Sequence, residues 1–65
     1  MTEFVRIEQH DYTVTLTLNR PEKRNAIHWP MLDALSDAIG KIEQMDGVRV
    51  IVVRGEGKSF SSGLD

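Results

Sequence analysis

The sequence predicts an α/β fold. Three observations carry that reading: strict alternation of apolar and polar residues from Tyr12 to Leu18, apolar residues at three- and four-residue spacing from Met31 to Met45, and an almost unbroken β-branched run from Val48 to Val53. Alternation marks a strand buried on one face, and helical spacing marks an amphipathic helix. A run without period marks a strand covered on both faces, as in a parallel sheet. Strand, helix and strand in that order form a βαβ crossover, expected to be right-handed.

Phe4, Val5 and Ile7 form a short apolar segment that is broken at His10-Asp11. Beyond the break Val14, Leu16 and Leu18 share one face and Thr13, Thr15 and Thr17 the other. Two extended segments around a short polar break predict an antiparallel hairpin. From Asn19 to Pro30 the periodicity disappears, and Pro21 and Pro30 each lack a backbone donor. That predicts a loop of about a dozen residues, longer than most connections. The helix is predicted from Met31 to Gln44, with Leu32, Leu35, Ile39 and Ile42 as its stripe, widened by Met31, Ala38 and Met45. Pro30 suits the first turn, Asp33 sets negative charge near the positive end of the helix dipole, and Asp46-Gly47 ends it. Met31, Leu35, Ala38, Ile42 and Met45 are the expected core. Trp29 is expected in the core or in an apolar contact at the helix entry.

With 65 residues, 40% hydrophobic and 28% charged, the chain has ordinary globular composition at about half a domain's length. A chain of this size buries roughly 60% of its unfolded surface, which is marginal without a staple or a partner. There is no cysteine, which excludes disulfides and thiolate zinc sites, and His10 with His28 are too few for a His-rich one, so no metal is expected. A net charge of −2 argues against a nucleic-acid partner. Glu3, Arg6 and Glu8 interrupt the first residues, so no signal peptide is read there. The longest apolar run, Val50 to Val53, is far short of the ~20 residues that cross a bilayer. The expectation is a cytoplasmic protein with no membrane partner. A strand covered on both faces needs more neighbours than one hairpin and one helix supply, so residues 1–65 are read as a fragment of a single domain whose remainder is absent.

Several short motifs are candidates for chemistry. Gly57-Lys58-Ser59 follows a strand as the end of a phosphate-cradling P-loop does, but the position where that motif needs its first glycine is Val52. A polar turn is the better reading. Arg20, Lys23 and Arg24 cluster in the long loop, either as a phosphate site or as a solvated charged surface, and composition leaves both open. Ser62-Gly63-Leu64 could aim backbone N–H groups at an anion or a polarised carbonyl, or be an ordinary turn. Ser61 and Ser62 lie outside any Gly-x-Ser-x-Gly elbow. His10 and His28 read as a turn residue and a loop residue near the helix start.

The run Leu16-Thr17-Leu18-Asn19-Arg20-Pro21-Glu22-Lys23-Arg24-Asn25-Ala26-Ile27, the helix, Val48-Arg49-Val50-Ile51-Val52-Val53-Arg54-Gly55 and Phe60-Ser61-Ser62-Gly63-Leu64-Asp65 follow one another in an order that resembles the crotonase superfamily, the enoyl-CoA hydratases and isomerases. The spaced combination is far more specific than any one piece. It spans essentially the whole chain and about the first quarter of a typical member. The resemblance implies a spiral of ββα units, of which this chain supplies an N-terminal hairpin, one helix and one buried strand. It also implies assembly as a homotrimer or homohexamer when intact.

From the same resemblance, Arg24 with help from Lys23 would contact the phosphates of coenzyme A, and the carbonyl of Ser62 would lie near the adenine amino group. The backbone N–H of Leu64 would donate to the thioester oxygen as one half of an oxyanion hole. A backbone donor leaves the side chain free to vary, so leucine can hold that position. The second donor and the carboxylates that move protons match no residue here, and Asp65 stays unassigned. The implied activity is acyl-CoA chemistry, most simply enoyl-CoA hydration. Gly63-Leu64-Asp65 is closer to dienoyl-CoA isomerase and other isomerase-like members. A non-catalytic crotonase-fold binding or scaffold protein is the third reading. No cofactor is expected beyond the coenzyme A of the substrate, and the 65 residues alone are expected to be inactive. Since members often carry Ser or Thr where His28 stands, a weaker helix start is expected.

Overall fold

The computed structural model describes residues 3–63. Strand β1 (Val5–His10) and strand β2 (Thr13–Leu18) form the hairpin, a short 3₁₀ turn occupies Pro21–Lys23, helix α1 spans Trp29–Glu43, and strand β3 (Val50–Gly55) follows. The sheet order is β1-β2-β3. β1 and β2 pair antiparallel, with Ile7 opposite Leu16, and β2 and β3 pair parallel, with Leu16 beside Val53 and Leu18 beside Gly55. The α/β class, the hairpin and the strand-helix-strand order with parallel pairing are therefore as expected.

The face built by Val14 and Leu16 of β2 meets Ala38 and Ile42 of α1, with Val5, Ile7, Leu35, Met45 and Val48 packed around them. Those β1 and β2 positions share a face because side chains alternate across a strand and the register sets Ile7 opposite Leu16. On the helix, Met31, Ala38 and Ile42 are buried. Leu32 and Ile39 lie about 100° further round the helix than Met31 and Ala38, and both stay exposed.

Element boundaries differ from expectation at both ends of the helix and of the last strand. α1 starts at Trp29 because His28, in extended conformation, already acts as N-cap, and Pro30 sits within the first turn, where its missing N–H costs nothing. The His28 Nδ1 accepts from the Met31 N–H at 3.4 Å, a long bond that fits a weak cap. Trp29 is not core: at 78% exposed it precedes the first buried helix position. β3 begins at Val50, since Arg49 and Val50 both donate to the Tyr12 carbonyl before regular pairing starts, and it runs on to Gly55. The expected burial of this strand on both faces is not found among the described residues. Val50, Ile51, Val52 and Val53 are all substantially exposed, because β3 is the sheet edge.

On the opposite face β1 and β2 carry polar side chains, and β3 adds Val50 and Val52 beside Thr13 and Thr15. Arg6, Thr17 and Arg54 occupy one row across the three strands. Arg6 reaches the Glu56 carboxylate at 2.5 Å and Arg54 approaches it at 3.8 Å, so both cations converge on one carboxylate across the row that holds Thr17. Thr17 is fully buried, and its hydroxyl has no hydrogen-bond partner among the described residues.

Candidate functional site

β2 and β3 run parallel and end in register at Leu18 and Gly55, so the segments that follow them leave the same end of the sheet. The Glu56 N–H donates to the Leu18 carbonyl at 2.8 Å and extends the pairing by one bond. The carboxyl ends of parallel strands are where α/β sheets build their sites. Both motif-bearing segments, 19–28 and 56–63, meet here.

The basic segment is an ordered turn. Lys23 N–H donates to Arg20, Arg24 N–H to Pro21, Asn25 N–H to Arg20 and Ala26 N–H to Lys23, all through backbone carbonyls at 2.8–3.1 Å. Arg24 and Asn25 close it with φ values of 52° and 56°, in the left-handed region. Asparagine tolerates that region, whereas an L-residue without a short polar side chain loses about 1 kcal/mol or more there. A strained backbone at an exposed arginine persists only where the surroundings hold it. Lys23 and Arg24 are exposed and make no side-chain hydrogen bond or ion pair among the described residues. Arg20 is used differently: its guanidinium donates to the Ala26 carbonyl at 2.9 Å and braces the turn from inside.

Asn25 is the centre of the arrangement, and it was not among the candidate site residues read from the sequence. It is 0% exposed. Its amide donates to the carbonyls of Glu56 at 2.9 Å and Ser59 at 2.8 Å, while its Oδ1 accepts the Arg20 N–H at 2.7 Å. Two carbonyls require two donors, which settles the orientation of the amide. A buried amide satisfied in this way holds two loops at once, since each unmade bond would leave a desolvated polar group. The one signal that could have found it is the residue type itself, because asparagine is favoured where a loop needs a positive φ.

The second loop packs tightly on this amide. A Cβ added to Gly55 would stand 2.6 Å from the Ser59 carbonyl oxygen and 2.7 Å from the Asn25 amide nitrogen, and closer still to the Phe60 carbonyl oxygen, so only glycine fits. Ser61 Oγ donates to the Asn25 carbonyl at 2.9 Å and accepts the Gly63 N–H at 3.0 Å. The Ser62 N–H donates to the Arg24 carbonyl at 2.9 Å, and the Ile27 N–H to the Gly63 carbonyl at 2.9 Å. The structure thus brings Lys23, Arg24 and Ser62 together at one end of the sheet. Leu64 lies outside the described residues.

Gly57-Lys58-Ser59 forms a bend that no helix follows among the described residues, so the P-loop geometry is not there. A groove of about 270 Å³ between α1 and the β1 segment, lined by Phe4, Val5, Ile7, Ala34, Ala38 and Lys41, contains none of the candidate residues. Among the described residues no three His, Asp or Glu side chains gather as a metal site, and no helix is long and apolar enough to cross a membrane.

This three-stranded sheet with its crossover helix has the topology of solved crotonase-fold proteins. An enoyl-CoA hydratase from Thermoplasma volcanium superposes on it with a TM-score of 0.90 at 45% identity, over 98% of this chain and 25% of that one. The enoyl-CoA hydratase/isomerase family pattern matches residues 13–65, and the chain belongs to that family. Among curated relatives, the 1,2-epoxyphenylacetyl-CoA isomerase of Escherichia coli K12 is 34% identical over 65 residues, all of this chain and 25% of that protein. The small ribosomal subunit protein mS47 of Schizosaccharomyces pombe is 43% identical over 49 residues, 75% of this chain and 11% of its own. The chain therefore spans a quarter or less of the curated relatives it matches here.

Proposed function

We propose that this chain is the coenzyme A-binding portion of an acyl-CoA thioester enzyme, most simply an enoyl-CoA hydratase. The observation that carries the reading is the bond from the Ser62 N–H to the Arg24 carbonyl, which sets the strained basic turn beside the Ser62-Gly63 turn in a chain of this family. Arg24, assisted by Lys23, holds coenzyme A phosphate through charge-assisted hydrogen bonds. The Ser62 carbonyl receives the adenine amino group. Leu64 supplies one backbone N–H to the thioester oxygen as it gains negative charge, a contribution of about 3–4 kcal/mol for a preorganised donor. The reading assigns the second donor and the proton-moving carboxylates to no residue of this chain. The intact protein is expected to work in the cytoplasm as a homotrimer or homohexamer with no further cofactor, and these residues alone are expected to be inactive, since half an oxyanion hole is not preorganised.

Hydration of crotonyl-CoA by the intact protein tests the reading. Arg24→Ala should raise KM by about tenfold or more and leave kcat within about twofold, as loss of a contact made equally in ground and transition states does. A fall in kcat at unchanged KM would overturn the phosphate assignment. The Escherichia coli relative favours isomerisation as a second reading, which double-bond migration without hydration would establish. The Schizosaccharomyces pombe relative favours a binding or scaffold role, which a folded protein without turnover on any acyl-CoA would establish.

A further inference from the structure

Ser61 and Asn25 form a continuous polar relay between the two loops, and neither side chain belongs to the ligand contacts proposed above. The Asn25 side chain fixes the basic turn to the first half of the 56–63 loop through Glu56 and Ser59. The second half is fixed by Ser61, whose hydroxyl donates to the Asn25 carbonyl and accepts the Gly63 N–H. A hydroxyl can donate and accept at one point, which alanine cannot do. Two backbone bonds, Ser62 N–H to Arg24 and Ile27 N–H to Gly63, cross the same gap on either side of the relay. Ser61 is therefore the one side chain in this set that links the Gly63 turn to the Arg24 turn. A loss of alignment there would displace the Gly63 turn while leaving Arg24 on its Asn25 support.

We infer that Ser61, acting through the Asn25 carbonyl, is a positioning residue that sets the separation between the phosphate contact at Arg24 and the turn after Ser62. The inference rests on the acyl-CoA reading. Its value to the reaction is preorganisation: a displacement of about 1 Å near reacting atoms can cost on the order of 10²-fold in rate.

Ser61→Ala and Ser61→Thr in the intact protein test this with two readouts, steady-state kinetics on crotonyl-CoA and amide hydrogen exchange. Ser61→Ala should lower kcat per folded molecule by about tenfold and raise KM by less than Arg24→Ala does, because the Ser62 carbonyl shares a peptide with the released Gly63 N–H, and Ser61→Thr, which keeps the hydroxyl, should restore both. The amides of Ser62, Gly63 and Ile27 should exchange faster together in the alanine variant, with those of β1 and β2 unchanged. Wild-type kcat in Ser61→Ala, or faster exchange confined to Gly63, overturns the inference. Absence of acyl-CoA turnover by the wild-type protein overturns the acyl-CoA reading instead. The exchange measurement then decides the relay alone, with joint acceleration supporting it and acceleration at Gly63 only refuting it.

Discussion

Strands β2 and β3 have equal length, lie side by side and share a β-branched, apolar character, yet Leu16 is 5% exposed while its register neighbour Val53 is 47% exposed. β2 has a strand on each side, and Val14 and Leu16 pack against Ala38 and Ile42 of the helix. Among the described residues β3 has one strand neighbour and no part in that cluster. An apolar run therefore states what a strand requires, whereas the packing of other elements states what it receives. The same contrast separates the middle of β3 from its end. Gly55 is closed in by the polar loop, two residues after a valine that is half open to solvent.

The largest effect should come from truncating the two neighbours in turn. Leu16→Ala should cost about 2–5 kcal/mol by urea unfolding, as buried leucine truncations do. Val53→Ala should cost less than about 1 kcal/mol where the side chain is as open as here. A cost at Val53 like that at Leu16 in the intact protein would show that further chain or a second copy covers β3, and would erase the contrast. Next in size, Gly55→Ala should destabilise by about 1–3 kcal/mol, because the new methyl meets backbone carbonyls that cannot rotate away. Smaller and of opposite sign, Thr17→Val should stabilise by about 1 kcal/mol, since it removes a buried hydroxyl without a partner and keeps the shape. If Thr17→Val destabilised the protein, the hydroxyl would have a hydrogen-bond partner. Smallest, Arg24→Gly should stabilise by about 0.5 kcal/mol, relief of left-handed strain being offset by a freer unfolded chain. Its KM should nevertheless rise as in Arg24→Ala, separating the cost of the turn from its use.

Much of the fold was legible beforehand. The alternation of Thr13 to Leu18 and the spacing of Met31, Ala38 and Ile42 are local patterns, and they placed the hairpin and the helix within two or three residues of where they lie. The misplaced edges have local causes that pattern cannot show. The helix starts two residues before Met31, directly after the His28 cap, and Trp29 in its first turn is exposed. Of the candidate site, the cationic turn and the Ser62-Gly63 turn were visible as motifs, and their order along the chain was specific enough for the family. Their meeting was not visible, because asparagine in a loop carries no mark of burial. Nor does Ser61, which lies outside any Gly-x-Ser-x-Gly elbow, show in sequence that its hydroxyl is engaged between Asn25 and Gly63.

Element order and α/β class follow from periodicity, since each depends on residues a few positions apart, and the resemblance to the family rests on motifs in sequence order. The exposure of β3 and the closure of the site needed the folded chain. Asn25 finds its partners 31 and 34 residues away, and Ser61 reaches back 36 to the Asn25 carbonyl. Bonds of that reach exist only after the parallel pairing of β2 and β3 has brought Leu18 and Gly55 to the same end of one sheet.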